Sequence, residues 1–214
     1  MKLYDYFRSS AAYRVRIALQ LKAQAPERVF IHLRRGAQRD ESYLAVNPQG
    51  LVPTLVTDGG DVLTQSVAIL EWLDESFPNP PLLPVDPAGR ARVRGIALAI
   101  ACDIHPLNNT RVLSYLTGTL GVTEAQKDGW YRYWIDTGFE ALETRLSRER
   151  STGRFCHGDT PTIADVCLVP QMANARRFKI DLAPYPTLAR IEAACLAVPA
   201  FAAAAPAKQP DAEP

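Results

Sequence analysis

Metal-binding and redox side chains are scarce in this chain and badly spaced. The three histidines, His32, His105 and His157, lie far apart with no H-x-x-x-H spacing, so no metal site is expected. The four cysteines, Cys102, Cys156, Cys167 and Cys195, form no C-x-x-C pair and sit among apolar neighbours, which reads as reduced packing residues. No segment approaches ~18 uninterrupted apolar residues, and MKLYDYF carries no basic region followed by a signal core. A cytoplasmic protein without membrane contact is therefore expected. Net charge is only +1, from 24 Lys and Arg against 23 Asp and Glu, which leaves no electrostatic footprint for nucleic acid. Internal repeats are absent.

What is present is proline and glycine at informative positions. From Asn47 to Leu73 the chain reads NPQGLVPTLVTDGGDVLTQSVAILEWL. Asn47-Pro48 ends the preceding element, because the residue before a proline is pushed out of the helical region. Val52-Pro53 directly precedes an apolar run, Thr54 to Val56, that predicts a strand. Asp58-Gly59-Gly60 predicts a hairpin turn, and Gln65-Ser66 precedes the helical spacing of Val67, Ile69, Leu70 and Leu73, with Ser66 as the N-cap. A Val52-Pro53 bond held cis would turn the Val52 N–H and C=O toward a peptide-like ligand. The helix start at Ser66 would attract a carboxylate through unpaired N–H groups and positive dipole. The combination resembles the glutathione-binding half of the glutathione transferase superfamily, which has a thioredoxin-like fold.

The remainder is consistent with two domains. Lys2 to Phe7 predicts a first strand, a helix follows with Ser9 or Ser10 as N-cap, and Val29 to Leu33 predicts a second strand. Strand, helix, strand, short helix, hairpin and helix suit an α/β layer with a mixed sheet over residues 1–80. FPNPPLLPVDP, from Phe77 to Pro87, carries five prolines, so a stiff linker is expected over 81–87. Residues 88–205 read as all helical. Arg90 to Leu116 is one long pattern kinked at Pro106, Thr123-x-x-Gln126 and Thr162-x-x-Asp165 are capping boxes, and Trp130, Trp134, Leu142 and Leu146 mark a helix face. Thr187 to Cys195 and a piece from Ala200 complete the domain, and the proline-rich, charged tail 206–214 is expected to be disordered.

YFRSSAAYRVRIAL, from Tyr6 to Leu19, resembles the signature of zeta-class glutathione transferases, the class that includes maleylacetoacetate isomerases. ACDIHPLNN (Ala101 to Asn109), GDTPTIADVCLVPQMANARRFKIDL (Gly158 to Leu182) and YPTL (Tyr185 to Leu188) carry the resemblance across nearly the whole chain. It implies a thioredoxin-like domain, an all-α domain, a homodimer and glutathione as cofactor. The implied reaction is glutathione-dependent cis-trans isomerisation of a small diacid.

Ser9 would donate to the glutathione thiolate at the first helix N-terminus, assisted by Arg8 and, less directly, Ser10. Lowering a thiol by two units from ~8.5 needs about 2.7 kcal/mol, within reach of one charge-assisted hydrogen bond and a helix dipole. Gln38, Gln49, Val52, Pro53, Gln65, Ser66 and Asn109 would hold glutathione. Arg8, His105, Arg111 and Arg177 would hold the substrate, since arginine offers planar bidentate donors to carboxylates. Arg14, Arg16 and Arg176 read as solvated or structural. Many members of the class carry cysteine after the two serines, where this chain has Ala11, so a mechanism requiring that thiol is closed. Maleylpyruvate is the alternative substrate, Thr110 before Arg111 weighing against it. A haloacid-conjugating transferase and a non-catalytic scaffold are further alternatives.

Overall fold

The computed structural model describes residues 1–213; Pro214 lies outside the described residues. The chain divides into two compact units, one of residues 1–82 and 196–214 and the other of residues 83–195.

The first unit is built on a four-stranded mixed sheet in the order β2-β1-β3-β4. β1 (Lys2–Asp5) runs parallel to β2 (Glu27–Phe30) and antiparallel to β3 (Thr54–Val56), which forms a hairpin with β4 (Val62–Thr64). β1 ends two residues before the expected Phe7, and β2 begins two residues before the expected Val29 and ends at Phe30, although the Ile31 N–H still donates to the Asp5 C=O at 2.8 Å. α1 (Ser10–Leu21) crosses between β1 and β2 and packs on α3 (Ser66–Ser76), while α2 (Glu41–Leu44) is a single short turn. Alternation along β1 and β3 puts Leu3 and Leu55 under the helices, where Val15, Ile17, Ile69, Leu70 and Leu73 meet them fully buried.

α9 (Pro199–Ala203) lies on α1, with Phe201 fully buried and the Tyr13 hydroxyl donating to the Phe201 C=O at 3.1 Å. Burying Phe201 contributes about 1.5–3 kcal/mol. The chain beyond α9 is ordered through residue 213, contrary to the disorder expected for the tail. A 3-10 turn at Pro206–Lys208 is followed by Gln209, whose amide donates to the Ala203 and Ala205 C=O groups, and by Asp211 and Glu213, which bond the segments just after β1 and β2. Composition registered the prolines and charges there and not the partners waiting for them. The proline-rich segment is also tied down at its start. Buried Lys22 donates to Asp74 at 2.7 Å and to the Pro80 C=O, and Asp74 accepts the Leu82 N–H.

A buried ion cluster closes the base of the first strand. Asp5 and Arg16 are 0% and 2% exposed and pair at 2.8 Å, with Arg28 on the second Asp5 oxygen and the Tyr6 N–H on the first. Arg16 also donates to the C=O groups of Tyr6, Phe7 and Ala204.

The second unit is helical: α4 (Pro87–Leu98), α5 (Thr110–Gly118), α6 (Glu124–Arg148), α7 (Ile163–Arg177) and α8 (Pro186–Leu196). The single kinked helix expected from Arg90 to Leu116 is instead broken. α4 passes into a π-helical turn at Ala99–Ile104, and Pro106, lacking an N–H, opens a 3-10 turn before α5 restarts at Thr110. α6 crosses this break closely, and Gly138 permits it, since a Cβ there would lie 2.3 Å from Ile104 Cδ1. The buried stripe of α6 is Tyr131, Ile135, Phe139, Leu142 and Leu146, one residue along from the expected Trp130 and Trp134. Trp130 sits at its edge, donating to the Leu107 C=O at 2.8 Å.

Both capping boxes are present at α6 and α7. The second is fully buried, with Asp165 accepting from the Cys156 and Thr162 N–H groups at 2.8 Å. Cys156, Cys167 and Cys195 are buried as expected, but Cys102 is exposed on the π-helical turn. Among the described residues no helix is long and apolar enough to cross a membrane, and no group of three or more His, Cys, Asp or Glu could hold a metal ion.

Removing Arg16 would leave the buried Asp5 with Arg28 alone. We expect Arg16→Met to lower the unfolding free energy by about 3 kcal/mol or more, read from the urea midpoint. A loss under about 1 kcal/mol would show that the cluster is dispensable.

Candidate glutathione and substrate site

In the first unit the candidate residues gather on two helix starts and one turn. Ser9 is the N-cap of α1, with φ −68° and ψ 116°, and its Oγ accepts the Ala12 N–H at 3.1 Å. A hydroxyl whose oxygen accepts in the cap still has its proton to donate elsewhere. The Ser9 N–H donates to the Tyr6 C=O at 2.9 Å, fixing the turn that presents it. Ser10, the first helical residue, is buried, and the Arg8 guanidinium lies 5.0 Å from the Phe7 ring centroid. Burial pushes the Tyr6 phenol up from its ordinary range, against the nearby charge of Arg8.

Ser66 is not the N-cap of α3; Gln65 holds that position and Ser66 is the first helical residue. Gln65 has φ +67°, a conformation rare for a side chain of its kind, and its amide donates to Gln49 Oε1 at 3.3 Å. Ser66 Oγ accepts from the buried Arg14 guanidinium at 3.1 Å. Arg14, 1% exposed, thus ties α1 to the start of α3, a structural role consistent with its expected class.

The turn before β3 is fixed by buried polar groups. The Tyr43 hydroxyl and Asn47 Nδ2 both donate to the Leu51 C=O and meet Thr54 Oγ1 at 2.9 and 3.0 Å. The Val52-Pro53 bond is cis. None of the hydrogen bonds among the described residues engages the Val52 N–H or C=O. Gln49 is placed by its N–H on Asn47 Oδ1. Gly50, at φ +60°, lets the Gln38 C=O come within 2.8 Å of where a Cβ would stand, and Gln38 Oε1 is buried without a partner.

In the second unit His105 and Asn109 fall within the helix break and Arg111 lies just after it, in α5. The His105 N–H closes the π turn on the Ile100 C=O at 2.9 Å. Asn109 caps α5 through its side-chain oxygen, which accepts the Arg111 N–H at 3.1 Å, and Arg111 is exposed in the first turn. Arg177 is exposed in the last turn of α7, 5.0 Å from the Phe178 ring centroid, with Asn174 Oδ1 at 3.3 Å. Phe178 stacks on Tyr131 with centroids 3.6 Å apart, and burial raises the Tyr131 phenol pKa while neighbouring Arg177 lowers it. Arg176 instead pairs with Glu192. The supporting residues Asp5, Arg14, Tyr43 and Asn47 were not singled out from sequence as parts of the site; only their polar character inside apolar surroundings would have marked them.

A thioredoxin-like unit with a cis-proline turn, a serine-capped helix and a strained residue before a second helix start, followed by an all-helical unit, defines a glutathione transferase architecture. Residues 8–76 match the family of glutathione S-transferase N-terminal domains. The chain belongs to the glutathione S-transferase family, in its zeta class. It is 51% identical to the probable maleylacetoacetate isomerase of Vibrio cholerae, over 98% of this chain and 97% of that one. A bacterial maleylpyruvate isomerase of the zeta class superposes with TM-score 0.97 at 49% identity, covering all of both chains. The maleylacetoacetate isomerase of Methylobacterium extorquens, solved with malonate and glutathione bound, gives TM-score 0.97 at 46% identity, again covering both chains completely.

Relieving the positive φ at Gln65 should stabilise the fold while removing the amide that donates to Gln49. We expect Gln65→Gly to raise the unfolding free energy by about 1 kcal/mol and to weaken glutathione binding, measured by urea unfolding and by calorimetric titration.

Proposed function

We propose that this protein is a glutathione-dependent cis-trans isomerase of a maleyl diacid, with maleylacetoacetate as its substrate. The observation that carries the reading is Ser9: its oxygen is committed to the α1 cap and its proton is left to donate, at the start of a helix of 12 residues. That is a receptor for a thiolate. The other glutathione contacts fit the same ligand. Val52 offers an unengaged N–H and C=O for a peptide backbone, and the first N–H groups of α3 at Ser66 suit a carboxylate. Gln65, Gln49 and Gln38 supply carboxamides within the same unit, and the resemblance adds Asn109 of the second unit.

When bound, glutathione supplies the sulfur nucleophile that opens the conjugated double bond to rotation and is released unchanged. Ser9 holds that sulfur as its thiolate, with Ser10 firming the start of the helix. By the same resemblance, guanidinium groups for the substrate carboxylates and the charge that develops beside them are expected from Arg8 in the first unit and from Arg111 and Arg177 in the second, with His105 as a further donor. No step requires a thiol at position 11. The similarity to relatives named for maleylacetoacetate and for maleylpyruvate is nearly equal, and Thr110 beside Arg111 inclines the reading to the longer diacid. A cytoplasmic homodimer belongs to the same proposal, on the strength of the resemblance.

The test is an absorbance assay of isomerisation with maleylacetoacetone and maleylpyruvate side by side, with and without glutathione. We expect strict glutathione dependence and higher kcat/KM on maleylacetoacetone. Ser9→Ala should lower that value about tenfold to a hundredfold, as loss of a charged hydrogen bond of roughly 1.5–3 kcal/mol implies. Preference for maleylpyruvate would move the assignment to the shorter substrate, and turnover of neither would overturn it.

A further inference from the structure

The segment after α9 is bound to the turn that carries Ser9. Asp211 Oδ2 accepts the Phe7 N–H at 2.9 Å. From the other side, Arg16 donates to the Phe7 C=O at 3.0 Å and to the Tyr6 C=O at 3.3 Å. Both polar groups of Phe7 are therefore clamped immediately before Arg8 and Ser9. The side chain is fixed as well: Phe7 is buried, edge-on to Tyr6 at 4.9 Å, and carries the Arg8 guanidinium over its ring.

The segment is itself anchored on both flanks of Asp211. Gln209 Oε1 accepts from Arg28 at 3.2 Å. Glu213 Oε1 meets His32 Nε2 and accepts from Arg35, each at 2.9 Å. Asp211 is poorly explained by stability alone. Its Oδ1 is buried without a hydrogen-bond partner, an arrangement that disfavours folding.

We propose that Asp211 is a positioning residue: by holding the Phe7 peptide it keeps the Ser9 hydroxyl and the Arg8 guanidinium at the sulfur and substrate positions. The inference rests on the reading of Ser9 as donor to the glutathione thiolate. Without the carboxylate the Phe7 N–H would turn to water, and the two-residue span to Ser9 would follow it. A misplacement of about 1 Å at such a site costs on the order of a hundredfold in rate.

The experiment compares the full chain with Asp211→Ala and Asp211→Asn. Asp211→Ala should lower kcat roughly tenfold to a hundredfold with the KM for glutathione within about twofold, and shift the titration of the bound thiol, read by thiolate absorbance, toward that of free glutathione. Asp211→Asn keeps an oxygen acceptor for the Phe7 N–H and should restore most of both. Hydrogen exchange at the Phe7 amide, measured without ligand, should quicken by about tenfold or more in the alanine variant and little in the asparagine variant. Wild-type exchange, turnover and thiol titration in Asp211→Ala would overturn the proposal, as would losses that only track the folded fraction in thermal unfolding. Should the alanine variant fail to fold, impaired turnover and quickened exchange in folded Asp211→Asn would overturn the acceptor role, and wild-type turnover and exchange in it would support that role. Failure of the wild-type protein to bind glutathione would sink the reading of Ser9, while exchange at Phe7 would still decide whether Asp211 holds the turn.

Discussion

The carboxylate of Asp5 is the constraint on which the first unit depends. It is completely buried at the end of β1 and is neutralised by two arginines from different elements, Arg16 of α1 and Arg28 of β2. Each arginine then reaches the segment after α8: Arg16 holds the Ala204 C=O and Arg28 the Gln209 side chain. One charge thus fixes the angle between the first strand and first helix and brings the chain terminus back to their junction. Burying three charged groups is a poor route to stability, since a hydrophobic replacement of equal volume is often as stable or better. What the cluster offers is direction, because a carboxylate with two guanidiniums and a backbone N–H has few alternative arrangements.

Arg14, two residues earlier on the same helix, extends that control to the second helix start. Arg14 and Arg16 both point inward, Arg16 under the turn bearing Ser9 and Arg14 onto Ser66. The starts of α1 and α3 are therefore tied to each other by the buried Arg14 guanidinium as well as by the packing of the two helices. Under the proposed function, a ligand with a thiolate at one end and a carboxylate at the other would meet a spacing fixed before it arrives, which reduces the ordering cost of binding.

The order of elements was legible because it is written in local chemistry. The hairpin at Asp58-Gly59-Gly60, the helix start at Ser9 and the capping boxes at Thr123 and Thr162 each depend on residues within four positions of one another. What sequence reasoning misplaced depends on distant partners. Gln65, at φ +67°, rather than Ser66 occupies the α3 cap position, and Ser66 Oγ is bonded instead to Arg14, 52 residues away in the chain. The helix expected through Pro106 breaks instead, and it does so where α6 comes against Ile104 at Gly138. The tail, polar and rich in proline, was legible as disorder by composition alone; its order comes from Arg28, Phe7, His32 and Arg35, none of them near in sequence.

The candidate site residues were legible largely through resemblance, and the structure shows why their own chemistry gave an ambiguous signal. Ser9 and Asn109 each have a structural task, accepting a backbone N–H at the start of α1 and of α5. Capping and binding are ordinarily weighed as competing explanations of such residues. They do not compete here, because capping uses only acceptor capacity. A serine that accepts still has one proton, and an asparagine that accepts through its oxygen still has two N–H donors on its nitrogen. The cap fixes the rotamer, and a fixed rotamer aims the remaining donors, so under the proposed function the structural role would be what makes a binding role possible.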